Sequence, residues 1–312
     1  MFKIILLVAL SLAAEPLCPD TPKAVEVTGE TVGDGAYSDC INITSLTIGS
    51  TVKKIGKSAF KGCTEIEGEV AIPSSVTRIE DNAFENCCKI TALDFSSATK
   101  LEFVGVSAFE NCIKVGSLAI PSTLVNISKR AFYNCTGITH LTLHDDMESI
   151  DDEAFYNCEQ LQLSAAIPTS VKTIGNYAFY NCKGFSTSRS LSFGPDLQTI
   201  GDYAFYNWEN VGGFTFSDGL IEIGDYSFAN VKCESCSSSY LSIPSSLKRI
   251  GDYAFYQYDK FSSIDFGSNL NEFVRNEIKD DLDHLSNSKK HMFGIEPTKI
   301  PQFNLELDIN LT

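Results

Sequence analysis

One nine-letter phrase governs what this chain can become. Residues 200 to 208 read IGDYAFYNW and residues 150 to 158 read IDDEAFYNC. Aligned on that phrase, nine copies appear, with their aromatic residue at Phe60, Phe84, Phe109, Phe132, Phe155, Phe179, Phe205, Phe228 and Phe255. Tyr37, in VGDGAYSDC, marks a degraded tenth copy at the front. The copies recur every 23 to 27 residues. One such unit cannot bury its own apolar side, whereas stacked units share a continuous core, so the period predicts a solenoid. At about 4.8 Å per strand spacing, about ten coils make a rod on the order of 45–50 Å long.

Each unit has three parts. An alternating apolar stretch such as ITSLTI (Ile43, Leu46, Ile48) predicts a strand with one buried face. Pro73, Pro121, Pro168 and Pro244, or Gly49, Gly194 and Gly267, stop it, because proline cannot donate to a ladder and glycine permits sharp turning. A second short extended piece follows, as at Val76–Ile79 and Leu247–Ile250. The unit closes in a tight turn, expected to be helical, which sets Phe132 and Cys135 on one inward face. The places two before and one after the Phe share another face, giving the pairs Tyr177 with Tyr180, Tyr203 with Tyr206, and Tyr253 with Tyr256.

The form LxIPSSVxxIGDYAFYNC, with the copy IPSSLKRIGDYAFY at 243 to 256 especially near to it, resembles the BspA-like leucine-rich repeat family of bacterial and protist surface proteins. The resemblance spans residues 32 to 267 and implies a β-rich leucine-rich-repeat solenoid. It further implies an adhesin-like role: binding extracellular-matrix proteins, host cells or other microbes.

The flanks divide the rest. Residues 1–13 read as a signal peptide, with Lys3 ahead of an apolar run and Ser11 and Ala13 suiting cleavage. That run falls short of the roughly 20 residues of a membrane span, so a secreted product without membrane insertion is expected. Residues 14–31 form an N-terminal cap that can supply an edge strand. Residues 268–312 form a C-terminal cap, a helix opened by Asn271 followed by a strand over FNLELDINL. Secretion would make the sequons at Asn42, Asn126, Asn134 and Asn310 candidate glycan sites. Of these, Asn134 falls in a repeated Asn series (Asn86, Asn111, Asn157, Asn181) expected to hold backbone groups at the turn, which leaves Asn42, Asn126 and Asn310.

Seven of the eleven cysteines (Cys40, Cys63, Cys87, Cys112, Cys135, Cys158, Cys182) share one repeat phase, later filled by Trp208, Val231 and Tyr258. A position that accepts all four residue types is chosen for burial, so a reduced ladder is expected. Parallel side chains also suit disulfides poorly. Outside the phase, Cys233 and Cys236 of CESC are read as a local disulfide in preference to a metal half-site or redox pair, since zinc needs four ligands. Cys18 is a further candidate, for a bridge to Cys40 across the N-terminal cap.

The formal net charge of -16 opposes nucleic acid and anionic membranes as partners. His140 and His144 sit about 13 Å apart along an extended strand, too far to share an ion. They, with His284 and His291, give no metal set, and no cofactor is expected. The adjacent acids Asp145–Asp146 and Asp151–Asp152 read as solvated turns. No nucleophile, metalloprotease or phosphate-loop motif is present, so no catalytic residue is assigned. Two stripes are left for recognition: Tyr180, Tyr206 and Tyr256 on the turns, where self-stacking competes with ligand contact, and Asp94, His140 and Thr142 on the exposed strand face. The expected partner is an extracellular protein or glycan. The alternatives are a secreted hydrolase using scattered carboxylates, or a scaffold or inhibitor that covers its partner.

Overall fold

The computed structural model describes residues 18–265, apart from 164–166, 234–238 and 259–260. The expected leader at 1–13, the expected cap at 268–312, Asn310, Cys236, His284 and His291 lie outside the described residues, as does the side chain of Tyr240.

The chain winds as a right-through stack of coils in which every strand pair is parallel. Each coil gives two strands, of two to nine residues in one set of sheets and of two residues in the other. The long strands begin with Lys23–Val27 beside Ile43–Ile48, and continue as Gly68–Ala71 beside Ile90–Asp94. A seven-stranded sheet then runs from Ser117–Ala119 to Phe261–Asp265. The short strands form a four-stranded ladder from Thr31–Val32 to Phe103–Val104 and a six-stranded one from Asn126–Ile127 to Arg249–Ile250. In the second ladder Ile127, Ile150, Ile174, Ile200, Ile223 and Ile250 are in register, all buried.

Proline ends the long strand for a visible reason. Val76, Leu124, Val171 and Leu247 donate their N–H to the carbonyls of Pro73, Pro121, Pro168 and Pro244. That position must accept but need not donate, which is what proline offers.

The closing turns are not helical: the described residues contain no helix. In the coil of Phe179, the N–H groups of Ala178, Tyr180 and Cys182 return to Gly175, Tyr177 and Phe179, three residues back. The alternate N–H groups of Tyr177, Phe179 and Asn181 cross at 2.7–2.9 Å to Asp202, Ala204 and Tyr206 of the next coil. A helix would send every N–H back along its own chain and leave none for the stack. Tyr177 and Asn181 both stand at φ +56°, which breaks helical winding every fourth residue. The i, i+3 facing survives, because chained three-residue turns repeat it.

The inward phase holds as read. From Tyr37 through Phe60 to Phe255, ten rings stack in one column with centroids 5.2–5.5 Å apart. Next to the column, each ladder thiol from Cys63 to Cys182 donates to the Phe or Tyr carbonyl of the preceding coil, at 2.9–3.4 Å. Where the phase changes to Trp208, its Nε1–H takes over the same role, onto Phe179 O at 2.8 Å. From Cys63 to Trp208 the position thus supplies a buried donor as well as an apolar body, and at Val231 the apolar body alone remains.

Cys40 departs from the reduced ladder. It is disulfide-bonded to Cys18, with Cα atoms 5.1 Å apart, where the chain entering the first described coil passes beside it. Cys233 is buried and disulfide-bonded. The six remaining ladder cysteines are free and buried, and burial pushes the Cys63 and Cys135 thiols up to about 12. Native protein at pH 8 should therefore resist alkylation at Cys112 and Cys135 and react only once unfolded. Peptide mass spectrometry with and without denaturant reads this. A thiol pKa raised by folding stabilises below the unfolded value near 9 and loses that contribution as pH rises through about 12, so melts should fall across that window.

The repeated asparagines bond differently from the expectation. Their amides hold one another rather than the backbone: Asn111 Nδ2 donates to Asn86 Oδ1, and the chain continues through Asn134, Asn157, Asn181 and Asn207 to Asn230 at 2.6–2.9 Å. All seven sit at positive φ, where asparagine is tolerated. Asp152 is likewise structural, since its Oδ1 accepts the Asn176 N–H at 2.8 Å. The same bond recurs from Asn176 to Asp202, Asp225 and Asp252. It forces glycine just before it: a Cβ on Gly201 would lie 2.5 Å from Asn176 N.

Candidate binding faces

Two exposed faces follow from this winding. On the turns, the phenol rings of Tyr133, Tyr156, Tyr180 and Tyr206 stack coil on coil at 4.7–5.0 Å within 4° of parallel. A second row, Tyr177, Tyr203, Tyr226 and Tyr253, runs beside it at 4.8–5.0 Å. Each ring covers its neighbours, so all eight are half-buried. Burial, then nearby phenols and carboxylates, pushes Tyr156, Tyr177, Tyr180 and Tyr203 upward and keeps them neutral. Tyr180 and Tyr206 thus belong to one row. Ala229 interrupts that row before Tyr256, whose ring stands edge-on to Tyr253 at 87°. Toward the N-terminus the same places hold charge: Lys61 pairs with Glu85, and Arg130 pairs with Glu110 while covering the Tyr133 ring at 4.0 Å.

On the strand face, the three residues singled out from sequence come together. Asp94, His140 and Thr142 all line one groove of 410 Å³, with Ser117, Phe95 and Ile120 among its other walls. Asp94 Oδ1 accepts the Ser96 N–H at 2.8 Å, and that bond holds its carboxyl below the usual range. His140 is exposed, with Nδ1 3.1 Å from Thr139 Oγ1. His144 does not share this face. It follows the strand His140–Thr142, is half-buried, and its Nε2 meets Leu124 O at 3.0 Å.

The groove marks a dislocation. From the last core residue of the long strand to that of the short strand the count is seven in most coils, as from Ile120 to Ile127, but nine from Phe95 to Val104. At this coil's C-terminal side both ladders stop: Ile90–Asp94 does not pair with Ser117–Ala119, nor Phe103–Val104 with Asn126–Ile127. Ser128 Oγ bonds to Val104 O in place of a ladder. The ring column and amide ladder cross the break intact, with Phe109 and Phe132 at 5.4 Å and Asn134 bonded to Asn111. Ser96, Thr99 and Ser122, which the sequence reading passed over, enter the groove through this seam.

Among the candidate glycan sites, Asn126 is exposed and Asn42 donates to Pro19 O at 3.0 Å. Among the described residues no group of three or more His, Cys, Asp or Glu could hold a metal ion, and no helix is long and apolar enough to cross a membrane.

Repeats of the BspA type leucine rich repeat region match in six copies, over residues 30–162, 96–188 and 184–281. The chain belongs to that family. Solved structures similar to this chain include leucine-rich repeat proteins. A leucine-rich repeat protein of T. pallidum is 22% identical with a TM-score of 0.48, covering 52% of this chain and 77% of its own. One from Bacteroides ovatus is 19% identical with a TM-score of 0.43, over 80% and 84%. The pneumococcal vaccine antigen PcpA is 17% identical with a TM-score of 0.43, over 82% of each. Comparison with curated proteins finds no match.

Proposed function

We propose that this is a secreted, adhesin-like binding protein whose solenoid faces recognise an extracellular protein or glycan. The observation that carries the reading is the form of the surface: a BspA type solenoid with a long phenol stripe on one face and a polar groove on another. Solenoids of this kind offer broad faces for partners rather than convergent pockets for chemistry. Tyrosine suits such faces because it offers area at low entropic cost. Residues 1–13 act as the leader in this reading.

The test compares two triple variants in binding to an extracellular-matrix or host-cell preparation. Tyr180→Ser with Tyr206→Ser and Tyr256→Ser strips the phenol stripe, and truncated anchors of this type cost about 2 kcal/mol or more each. Asp94→Asn with His140→Ala and Thr142→Ala alters the strand face. Thermal melts establish that each variant folds, since losing stacked rings itself costs about 0.5–1.5 kcal/mol per pair. One variant should lose binding. Wild-type binding by both removes both faces as the site, and no binding by the wild type removes the adhesin reading.

Secretion also predicts glycan at Asn126 and none at Asn134. The Asn134 amide is already committed to Asn111 on one side and Asn157 on the other, whereas Asn126 is exposed on its short strand. Glycopeptide mass spectrometry showing the reverse occupancy would overturn this assignment.

A further inference from the structure

We infer that the groove at the seam between Ile90–Asp94 and Ser117–Ala119 is a binding site for a neutral saccharide. The inference rests on the strand face being a ligand face, and it names the ligand's chemistry.

The site has a structural cause that the other coils lack. The coil of Phe109 carries two added residues between Phe95 and Val104, and beside it the long-strand and short-strand ladders stop together, with Ser96 and Thr99 of the lengthened loop lining the groove. The resulting 410 Å³ falls within the range of small-molecule sites, about 300–1,000 Å³.

Its lining selects among ligands. Asp94 carries the one carboxylate and His140 the one imidazole; the other polar groups are Ser and Thr hydroxyls, Ser117 and Thr142 among them. A carboxylate only accepts, and hydroxyls both donate and accept. That set matches a ligand rich in hydroxyl groups, with Asp94 receiving their protons. Phe95 and Ile120 add an apolar floor for the C–H face of a sugar ring. An anionic ligand meets Asp94 with no cation among the lining residues, on a chain of net charge -16. A wholly apolar ligand would leave the hydroxyls unpaired at a cost. An ammonium only donates and would leave the donor capacity of the Ser and Thr hydroxyls unused, whereas a sugar hydroxyl meets donors and acceptors alike.

Saturation-transfer NMR with glucose, galactose, mannose and N-acetylglucosamine tests the site on the full chain. At least one sugar should bind saturably to the wild type. Asp94→Asn should weaken it about tenfold or more, as removal of a charged acceptor does. Ala119→Trp should abolish it, because Ala119 is exposed on the groove wall and a large side chain there fills the space without entering the core. Melts of both variants should match the wild type. Binding that survives Ala119→Trp in a folded protein overturns the site. Binding of lysine or arginine methyl ester, sensitive to Asp94→Asn, with no sugar bound, overturns the ligand class. Absence of sugar binding alongside intact matrix binding removes this assignment and leaves the binding-protein reading in place. Sugar binding without matrix binding keeps this assignment and removes the adhesin reading.

Discussion

Replacing Phe155 by Ala should destabilise the protein by about 3–5 kcal/mol, the range for truncating a buried phenylalanine. Phe155 is fully buried near the middle of the ring column. Its ring lies 5.4 Å from Phe132 and 5.3 Å from Phe179, so truncation removes a stacked contact on each side. The cavity cannot close by collapse, because backbone bonds from Phe132 to Ala154 and from Phe155 to Ala178 hold the coils at fixed spacing. In a solenoid the loss also weakens both coil interfaces rather than one packed centre. Glu153, two residues before Phe155, is unsuitable as a solvated control. It is half-buried at φ +56° and faces Lys129 and Arg130 at 3.6 Å. Lys114, exposed beside Val115, is the suitable control, and Lys114→Ala should change stability within about 0.5 kcal/mol. Urea melts of the two variants measure the contrast. Equal effects would contradict the inward column.

What the sequence discloses and what it hides divide along a physical line. Phe60 to Phe255, the in-register isoleucines and the Cys phase are legible because burial dictates their identity in every coil. The turn conformation is not. Phe132 and Cys135 face inward in a helix and in chained turns alike, so spacing alone cannot separate the two. The signal that does is the residue type at the left-handed place: Gly62, then Asn86 through Asn230. The partners of those asparagines lie 23–26 residues away, beyond any local pattern, and only stacking like on like reveals them. Asp94, His140 and Thr142 were readable as exposed strand residues. That they meet in a groove depends on two added residues between Phe95 and Val104, a departure in length that attention to residue identity passes over.

The amide ladder supplies the second large effect. Asn157 donates to Asn134 Oδ1 at 2.9 Å and accepts from Asn181 Nδ2 at 2.7 Å. Asn157→Leu breaks both bonds and leaves an acceptor on one neighbour and a donor on the other without partners. Each stranded group in a part-buried place costs about 1–3 kcal/mol. Asn157 also stands at φ +58°, which leucine adopts only with strain of order 1–3 kcal/mol. A loss of about 3 kcal/mol or more in all is expected. Asn157→Gly separates the two causes, since glycine accepts the backbone angle freely but carries no amide. Stacked side-chain amides stabilise parallel in-register strands generally, and here they cross the seam where both strand ladders stop. Urea melts should therefore rank wild type above Asn157→Gly and Asn157→Leu below both. If the glycine variant matches the wild type, the backbone angle alone selects asparagine and the ladder contributes nothing to stability.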